Sequence, residues 1–205
     1  MKLAALLALV LTGCGCSTLP DTVVAAKPAA FRVEFADGIC SAAAVGPTTI
    51  LIATHCLKGA PISTVGGREV MVLARTDDGK DHSLLRLNIA FDRWARIGRT
   101  PVQGEDLWYY GNPMGLHDML RKGYVAGTED GKWLMDVEGA PGDSGAAVFD
   151  RQGRVIGVVS EIIQPYCSYL KPPEAGMPPV ACMNFRMMAM YPLAFTRKQL
   201  AEAAS

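Results

Sequence analysis

A chain of 205 residues can form one large domain, or two small β-barrels sharing an interface, so a sizeable core is within reach. With 20 basic and 20 acidic residues the formal net charge is zero, so nothing suggests a polyanion-binding surface, and no nucleic-acid partner is expected. Half the residues are apolar, and 21 glycines with 13 prolines favour short strands and tight turns over long helices.

Lys2 precedes an apolar run from Leu3 to Leu11, too short to cross a bilayer as a helix but the size of a secretory signal core; residues 1–13 therefore read as a signal peptide. Leu11-Thr12-Gly13-Cys14 resembles the bacterial lipobox, in which cleavage before the cysteine is coupled to its acylation. That resemblance implies a lipid on Cys14 and a membrane as partner; an ordinary signal cleaved nearby is the alternative. Either route exports the chain, to the periplasm with a lipid anchor or as a secreted protein. Residues 14–27 form a tether, flexible from Ser17 to Lys27 because that stretch is small, polar and lacks periodicity. With Cys14 and Cys16 at the processing site, Cys40, Cys56, Cys167 and Cys182 remain for the folded body, which in an exported protein suggests two disulfides. Pairing neighbours would close loops of about 16 residues, worth ~3 kcal/mol apiece if the gain is chain entropy. Free thiols or a zinc site using His55 are alternatives, but no pair has the Cys-x-x-Cys spacing that presents two ligands together. No metal and no cofactor is expected.

From Ala30 onward, short apolar runs alternate with turns. Phe31–Phe35, Ala42–Val45, Ile50–Ala53, Val70–Ala74 and Ser83–Leu87 read as strands, punctuated by Asp37-Gly38, Gly46-Pro47, Gly66-Gly67 and Asp78-Gly79. Arg99–Glu105 has Pro101 and Gly104 but no apolar alternation, and reads as the connection between two β subdomains. Leu107–Tyr110, Gly123–Ala126, Trp133–Val137, Ala146–Phe149 and Val155–Ile163 continue the strand pattern, the last two joined by a hairpin turn at Asp150–Gly153. Gln164–Val180 carries five prolines and is a stiff excursion, whose base a Cys167–Cys182 pair would pin. Thr196-Arg197-Lys198-Gln199 has the form of a capping box and opens a helix over 196–204.

The chemistry concentrates in three places. Gly142-Asp143-Ser144-Gly145 follows a strand and Ala140-Pro141, which puts Ser144 on a tight exposed turn. A nucleophilic hydroxyl needs such a turn to project its oxygen and to aim neighbouring N–H groups at the oxyanion of a tetrahedral intermediate; Gly142 and Ser144 are the donors in this reading. Ile52-Ala53-Thr54-His55-Cys56 ends a strand on a histidine, the side chain whose ordinary pKa suits a general base. Asp81 opens the strand that follows, where a buried carboxylate can fix an imidazole tautomer. Asp77 and Asp78 compete for that role, but Gly79 and Lys80 separate them from the strand.

Together these blocks resemble the chymotrypsin-like serine proteases over about Phe31 to Ile163. Cys40-Ser41-Ala42 through Thr54-His55-Cys56 is similar to the His segment of bacterial glutamyl endopeptidases and trypsins, and Tyr110-Gly111-Asn112-Pro113-Met114-Gly115-Leu116 is similar to a segment of HtrA proteases. The resemblance implies an all-β fold of two antiparallel Greek-key barrels, about 28–100 and 104–192, within a protease domain 28–205 that ends in a short helix. It implies a Ser144–His55–Asp81 triad, an oxyanion hole at Gly142 and Ser144, a Cys40–Cys56 bridge, and hydrolysis of peptide or protein substrates by a monomer. It also implies substrate contacts from Ser160 and Ile162 on a strand that pairs with extended peptide, and from Glu138, six residues before the serine, where trypsins carry the acid that selects Arg or Lys. This chain departs from the pattern in having Thr54 before the histidine and Ala146 where trypsins have a second glycine. It also lacks the Ile-Val-Gly-Gly activation sequence, so Asp143 is not expected to pair with a newly cut N-terminus. A non-catalytic, peptide-binding lipoprotein on the same fold and an esterase using the same residues are the rival readings.

Overall fold

The computed structural model describes residues 19–163 and 187–205. Thirteen strands are assigned among them: β1 (Ala30–Phe35), β2 (Gly38–Ala44), β3 (Thr49–Ala53), β4 (Ile62–Val65), β5 (Arg68–Glu69), β6 (Val72–Asp77), β7 (His82–Leu87), β8 (Asp106–Gly111), β9 (Met119–Glu129), β10 (Lys132–Asp136), β11 (Ala147–Phe149), β12 (Val155–Ile163) and β13 (Met187–Met190). Helices α1 (Asp21–Ala26) and α2 (Arg197–Ala203) flank them.

The first seven strands form one antiparallel sheet in the order β5-β4-β1-β2-β3-β7-β6, and the remaining six close into a barrel, β10-β13-β12-β11-β8-β9. This is the expected all-β double-barrel fold, with the first body a half-barrel whose edges are β5 and β6. Most strands lie where the apolar runs predict them. The continuous run Thr49–Ala53 is buried at every position, as a strand covered on both faces must be. The connection predicted at Arg99–Glu105 carries no strand.

Three core clusters result. Val33, Ala42, Ala44, Ile50, Ile52, Leu85 and Leu87 fill the half-barrel. Leu107, Tyr109, Val125, Met135, Val148, Ile156, Met188 and Met190 fill the barrel. The third joins the two bodies: Leu51 and Ala53 of β3 meet Trp108, Ala147, Phe149 and Val155 of the barrel. Helix α1 belongs to this junction through Val23 and Ala26, and α2 through Ala203, with Phe195 just before it. The stretch read as a flexible tether thus includes a helix from Asp21 whose Val23 is fully buried. Six residues are too few to display helical periodicity, and burial against distant strands is what holds them. Helix α2 forms as predicted: the Thr196 hydroxyl accepts the Gln199 N–H, and the Gln199 side chain returns the bond to the Thr196 N–H.

Candidate active site

The junction between the two bodies gathers the residues singled out by chemistry. Strand β3 ends at Ala53, and a single 3₁₀ turn, Thr54–Leu57, presents His55. Asp81 precedes β7, the neighbour of β3 in the sheet. Two bonds join them: the His55 main-chain N–H donates to Asp81 Oδ1 at 2.9 Å, and His55 Nδ1 lies 2.8 Å from Asp81 Oδ2. A third fixes the frame, since the Thr54 N–H donates to the Asp81 carbonyl at 3.0 Å. Thr54, a departure from the family pattern, bonds its hydroxyl to Ser83 at 2.8 Å, and Ser83 donates in turn to Asp77. Burial by itself would raise the Asp81 carboxyl, but the hydrogen bonds and charge of His55, with a smaller contribution from the Ser160 hydroxyl, hold it below the usual carboxylate value.

Ser144 arrives from the other body, on the turn between β10 and β11. Its carbonyl accepts the Ser41 N–H at 2.7 Å and lies 3.8 Å from Cys56 Sγ; the latter is a contact only, because a disulfide sulfur has no proton to give. Ser144 is thereby set beside the residue that follows His55. Its hydroxyl makes no hydrogen bond among the described residues. Gly145 has room for no side chain: a β-carbon there would sit 2.0 Å from the Ser41 carbonyl oxygen. Gly142 adopts φ +101°, which non-glycine residues rarely do, and a β-carbon would fall 2.3 Å from the Asn112 carbonyl oxygen. Neither the Gly142 nor the Ser144 N–H has a protein acceptor among the described residues, so both remain free to donate to a ligand oxygen.

A buried relay sets the Gly142 peptide. Asn112 Nδ2 donates to Ser41 Oγ at 2.9 Å, and Ser41 Oγ donates to the Gly142 carbonyl at 2.8 Å. Asp143 closes the same turn by accepting the Ala140 N–H at 3.0 Å, and has Arg121 Nε 3.6 Å away as its cationic neighbour. Burial raises the Asp143 carboxyl above its ordinary value even so, and burial together with the Asp143 charge pushes the Tyr109 phenol up. Ser41 and the Asn112 role were not visible in sequence, because they act through side-chain bonds to residues far along the chain.

Of the remaining candidates, Ser160 is buried beside Asp81, with its hydroxyl donating to the Val158 carbonyl, and Ile162 is half-buried on β12. With His55, Asp81, Glu161 and Tyr191, Ser160 lines an open cleft of ≈ 420 Å³. Glu138 is exposed; its main-chain carbonyl accepts the Tyr109 hydroxyl, and its carboxylate makes no ion pair among the described residues. Cys40 and Cys56 are joined as a disulfide, the bridge that ties β2 to the turn carrying His55. Cys14, Cys167 and Cys182 lie outside the described residues. Among the described residues no group of His, Cys, Asp and Glu side chains is disposed to hold a metal ion, and no helix is long and apolar enough to cross a membrane.

A closed barrel packed on a half-barrel is the double-barrel fold of the chymotrypsin-like serine proteases. The chain belongs to the family of trypsin-like peptidase domains, whose family model matches residues 38–158. No curated protein matches it in sequence. Among solved structures it is similar to the inactive form of a serine-to-alanine mutant of Rv3671c from Mycobacterium tuberculosis H37Rv, at TM-score 0.65 and 16% identity over 90% of each chain. It is also similar to a serine endoprotease from Yersinia pestis, at TM-score 0.58 and 23% identity over 70% of this chain and 57% of that one. At these identities the likeness is one of fold. A disulfide in such a domain belongs to proteins that work outside a reducing cytoplasm.

Proposed function

We propose that this protein is a serine endopeptidase working through Ser144, His55 and Asp81 by way of an acyl-enzyme. The observation that carries the reading is the 2.8 Å contact between His55 Nδ1 and Asp81 Oδ2, at a turn packed against the main chain of Ser144. With Nδ1–H donated to Asp81, Nε2 is left as the base. Ser144 Oγ attacks the scissile carbonyl carbon while His55 Nε2 takes its proton, and the Gly142 and Ser144 N–H groups receive the developing oxyanion. The intermediate collapses as His55 passes the proton to the leaving amine. Water, deprotonated by His55, then attacks the ester carbonyl and releases the acid with Ser144 restored. Ser160 and Ile162 are the strand positions from which an extended peptide takes main-chain bonds.

A fluorophosphonate probe tests the reading. The folded protein is expected to form one adduct, on Ser144, and Ser144→Ala to form none. An unlabelled wild type, or equal labelling of the variant, would leave the fold serving as a peptide-binding module. Cleavage of internal bonds in a peptide library separates an endopeptidase from an esterase. We further propose export with acylation at Cys14 and one protease domain over 28–205. Mass spectrometry of the mature N-terminus checks the first, since an unmodified terminus away from Cys14 contradicts it.

A further inference from the structure

The substrate residue that becomes acylated must put its side chain somewhere, and barrel geometry limits the choice. Strand β12 is covered by β11 only as far as Val159, where the Gly145 N–H donates to the Val159 carbonyl at 2.8 Å and the Val159 N–H to the Ala146 carbonyl at 2.9 Å. Beyond Val159, β12 pairs with β13 on its other edge, so its Ser144 side from Ser160 to Ile163 has no strand partner among the described residues. A peptide added there, with its carbonyl at the Gly142 and Ser144 N–H groups, aims the side chain beside that carbonyl between β12 and residues 137–141. Those residues cross from the end of β10 to the Ser144 turn and form the opposite wall.

Met188 already occupies the space between these walls. It is aligned with Ile162 of β12 and with Met135 of β10, and it is 1% exposed. Its thioether presses against Gly139 so closely that a β-carbon on that glycine would lie 2.2 Å from Sδ and 2.6 Å from Cε. Val137, Ala146, Val159, Met190 and Tyr109 share its buried cluster, the Tyr109 hydroxyl being engaged in donating to the Glu138 carbonyl. Glu138, the neighbouring candidate for an acidic pocket floor, is exposed, so what meets an incoming side chain is sulfur and methyl rather than charge.

We infer that Met188 is the specificity-determining residue of this site and restricts the acylated substrate residue to small uncharged side chains such as Gly, Ala and Ser. The inference rests on Ser144 being the nucleophile. Asp143, the buried carboxylate beside this wall, already accepts the Ala140 N–H and has Arg121 as its cationic neighbour, so an inserted cation or carboxylate meets no unengaged counter-charge among the described residues, and a large apolar group must displace a side chain packed at interior density. A single methylene in a pocket of this kind changes selectivity by about 10–200-fold.

The test is a peptide series of constant flanks with Gly, Ala, Val, Leu, Phe, Arg or Glu at the acylated position. Values of kcat/KM are referred to sites titrated with a fluorophosphonate. Ala is expected to exceed Leu, Phe, Arg and Glu by about tenfold or more. Met188→Ala is expected to move the optimum to Leu or Phe, and the milder Met188→Val to shift it toward Val, with probe labelling intact in both. Should Met188→Ala fail to fold, the wild-type profile and Met188→Val decide. A wild type that prefers Arg, Glu or Phe overturns the inference, as does an unchanged profile in folded, probe-reactive variants. Absence of labelling in the wild type overturns the nucleophile assignment itself, a result distinct from labelling with the wrong profile.

Discussion

Asp81→Asn isolates the part of the site that geometry defines most sharply. In the wild type both carboxylate oxygens accept, one from the His55 main-chain N–H at 2.9 Å and one at 2.8 Å from Nδ1. Asparagine has a single oxygen. The main-chain N–H can only donate, so it claims that oxygen and turns the amide NH₂ toward Nδ1. Nδ1 must then accept, the ring proton moves to Nε2, and Nε2 can no longer take the Ser144 proton. The opposite amide orientation keeps the useful tautomer but leaves the His55 N–H unpaired, at about 1–3 kcal/mol. The productive tautomer is thereby reduced by about 5–150-fold, at 1.36 kcal/mol per decade. Losing the negative charge opposite the imidazolium adds to this, toward the ~10⁴ loss in kcat known for the same change in a Ser-His-Asp triad. The expected outcome is a fall in acylation rate between ~10² and ~10⁴, KM nearly unchanged, and a thermal midpoint showing a folded variant. Asp77→Asn serves as the control. Asp77 binds Arg75 and Ser83 rather than His55, so it is expected to cost about threefold at most. A folded Asp81→Asn that loses less than about fivefold, or a larger loss from Asp77→Asn, refutes the assignment of Asp81.

Gly142→Ala forces a side chain onto φ +101° and a β-carbon to 2.3 Å from the Asn112 carbonyl oxygen, so the turn must shift. A loss of about 10²–10³ in kcat is expected, as for removal of one oxyanion donor, read by steady-state peptide hydrolysis. Replacing Cys40 and Cys56 together by serine reopens a loop with a sequence separation of 16, which costs about 3 kcal/mol and lowers the melting temperature by about 6–12 °C. Asp78 and His82 form a pair with no exposed side-chain surface, and Asp78 also accepts the Ala194 N–H. Asp78→Ala therefore strands a buried histidine and is expected to cost about 3 kcal/mol or more by urea unfolding; a change below about 1 kcal/mol contradicts that. The carboxyls of Asp77, Asp78 and Asp81 are held below their ordinary values. Their stabilisation is complete above about pH 4 and is lost as pH falls through the lower folded values. Asp143, raised by burial, has the opposite sign, since its contribution declines as pH rises through the carboxylate range. With three groups against one, the urea midpoint is expected to fall below about pH 4, and a rise there would contradict the balance.

What could be read from the sequence is what is encoded locally. The strand ending on Thr54-His55-Cys56, the turn around Ser144 and the capping box at Thr196 each lie within a few residues, where spacing alone dictates direction. Asp81 was separable from Asp77 and Asp78 because it abuts the β7 strand, and the structure gives each of the three a distinct partner: His55, Arg75 with Ser83, and buried His82. The rest depends on contacts between residues far apart in the chain. Strand β13 hardly registers, since the short run Met187–Met190 fits a strand or a buried helical turn equally until β10 and β12 claim it. Glu138 shows the same limit from the other side. Counting six residues back from a serine locates a main-chain position, but whether that side chain enters the barrel depends on the crossover at 137–141, where Met188 fills the interior.

The chemistry is thus assigned to short motifs, whereas the proposed selectivity residue is a methionine 44 residues from Ser144 in sequence. The His55–Asp81 pair is fixed by hydrogen bonds, which specify direction and tolerate no substitute. The pocket floor is fixed by packing, which specifies volume alone. Substitutions at position 188 should therefore change which peptide is cleaved while leaving the bond-breaking groups intact. Changes at His55, Asp81 or Ser144 should instead slow cleavage of every peptide alike.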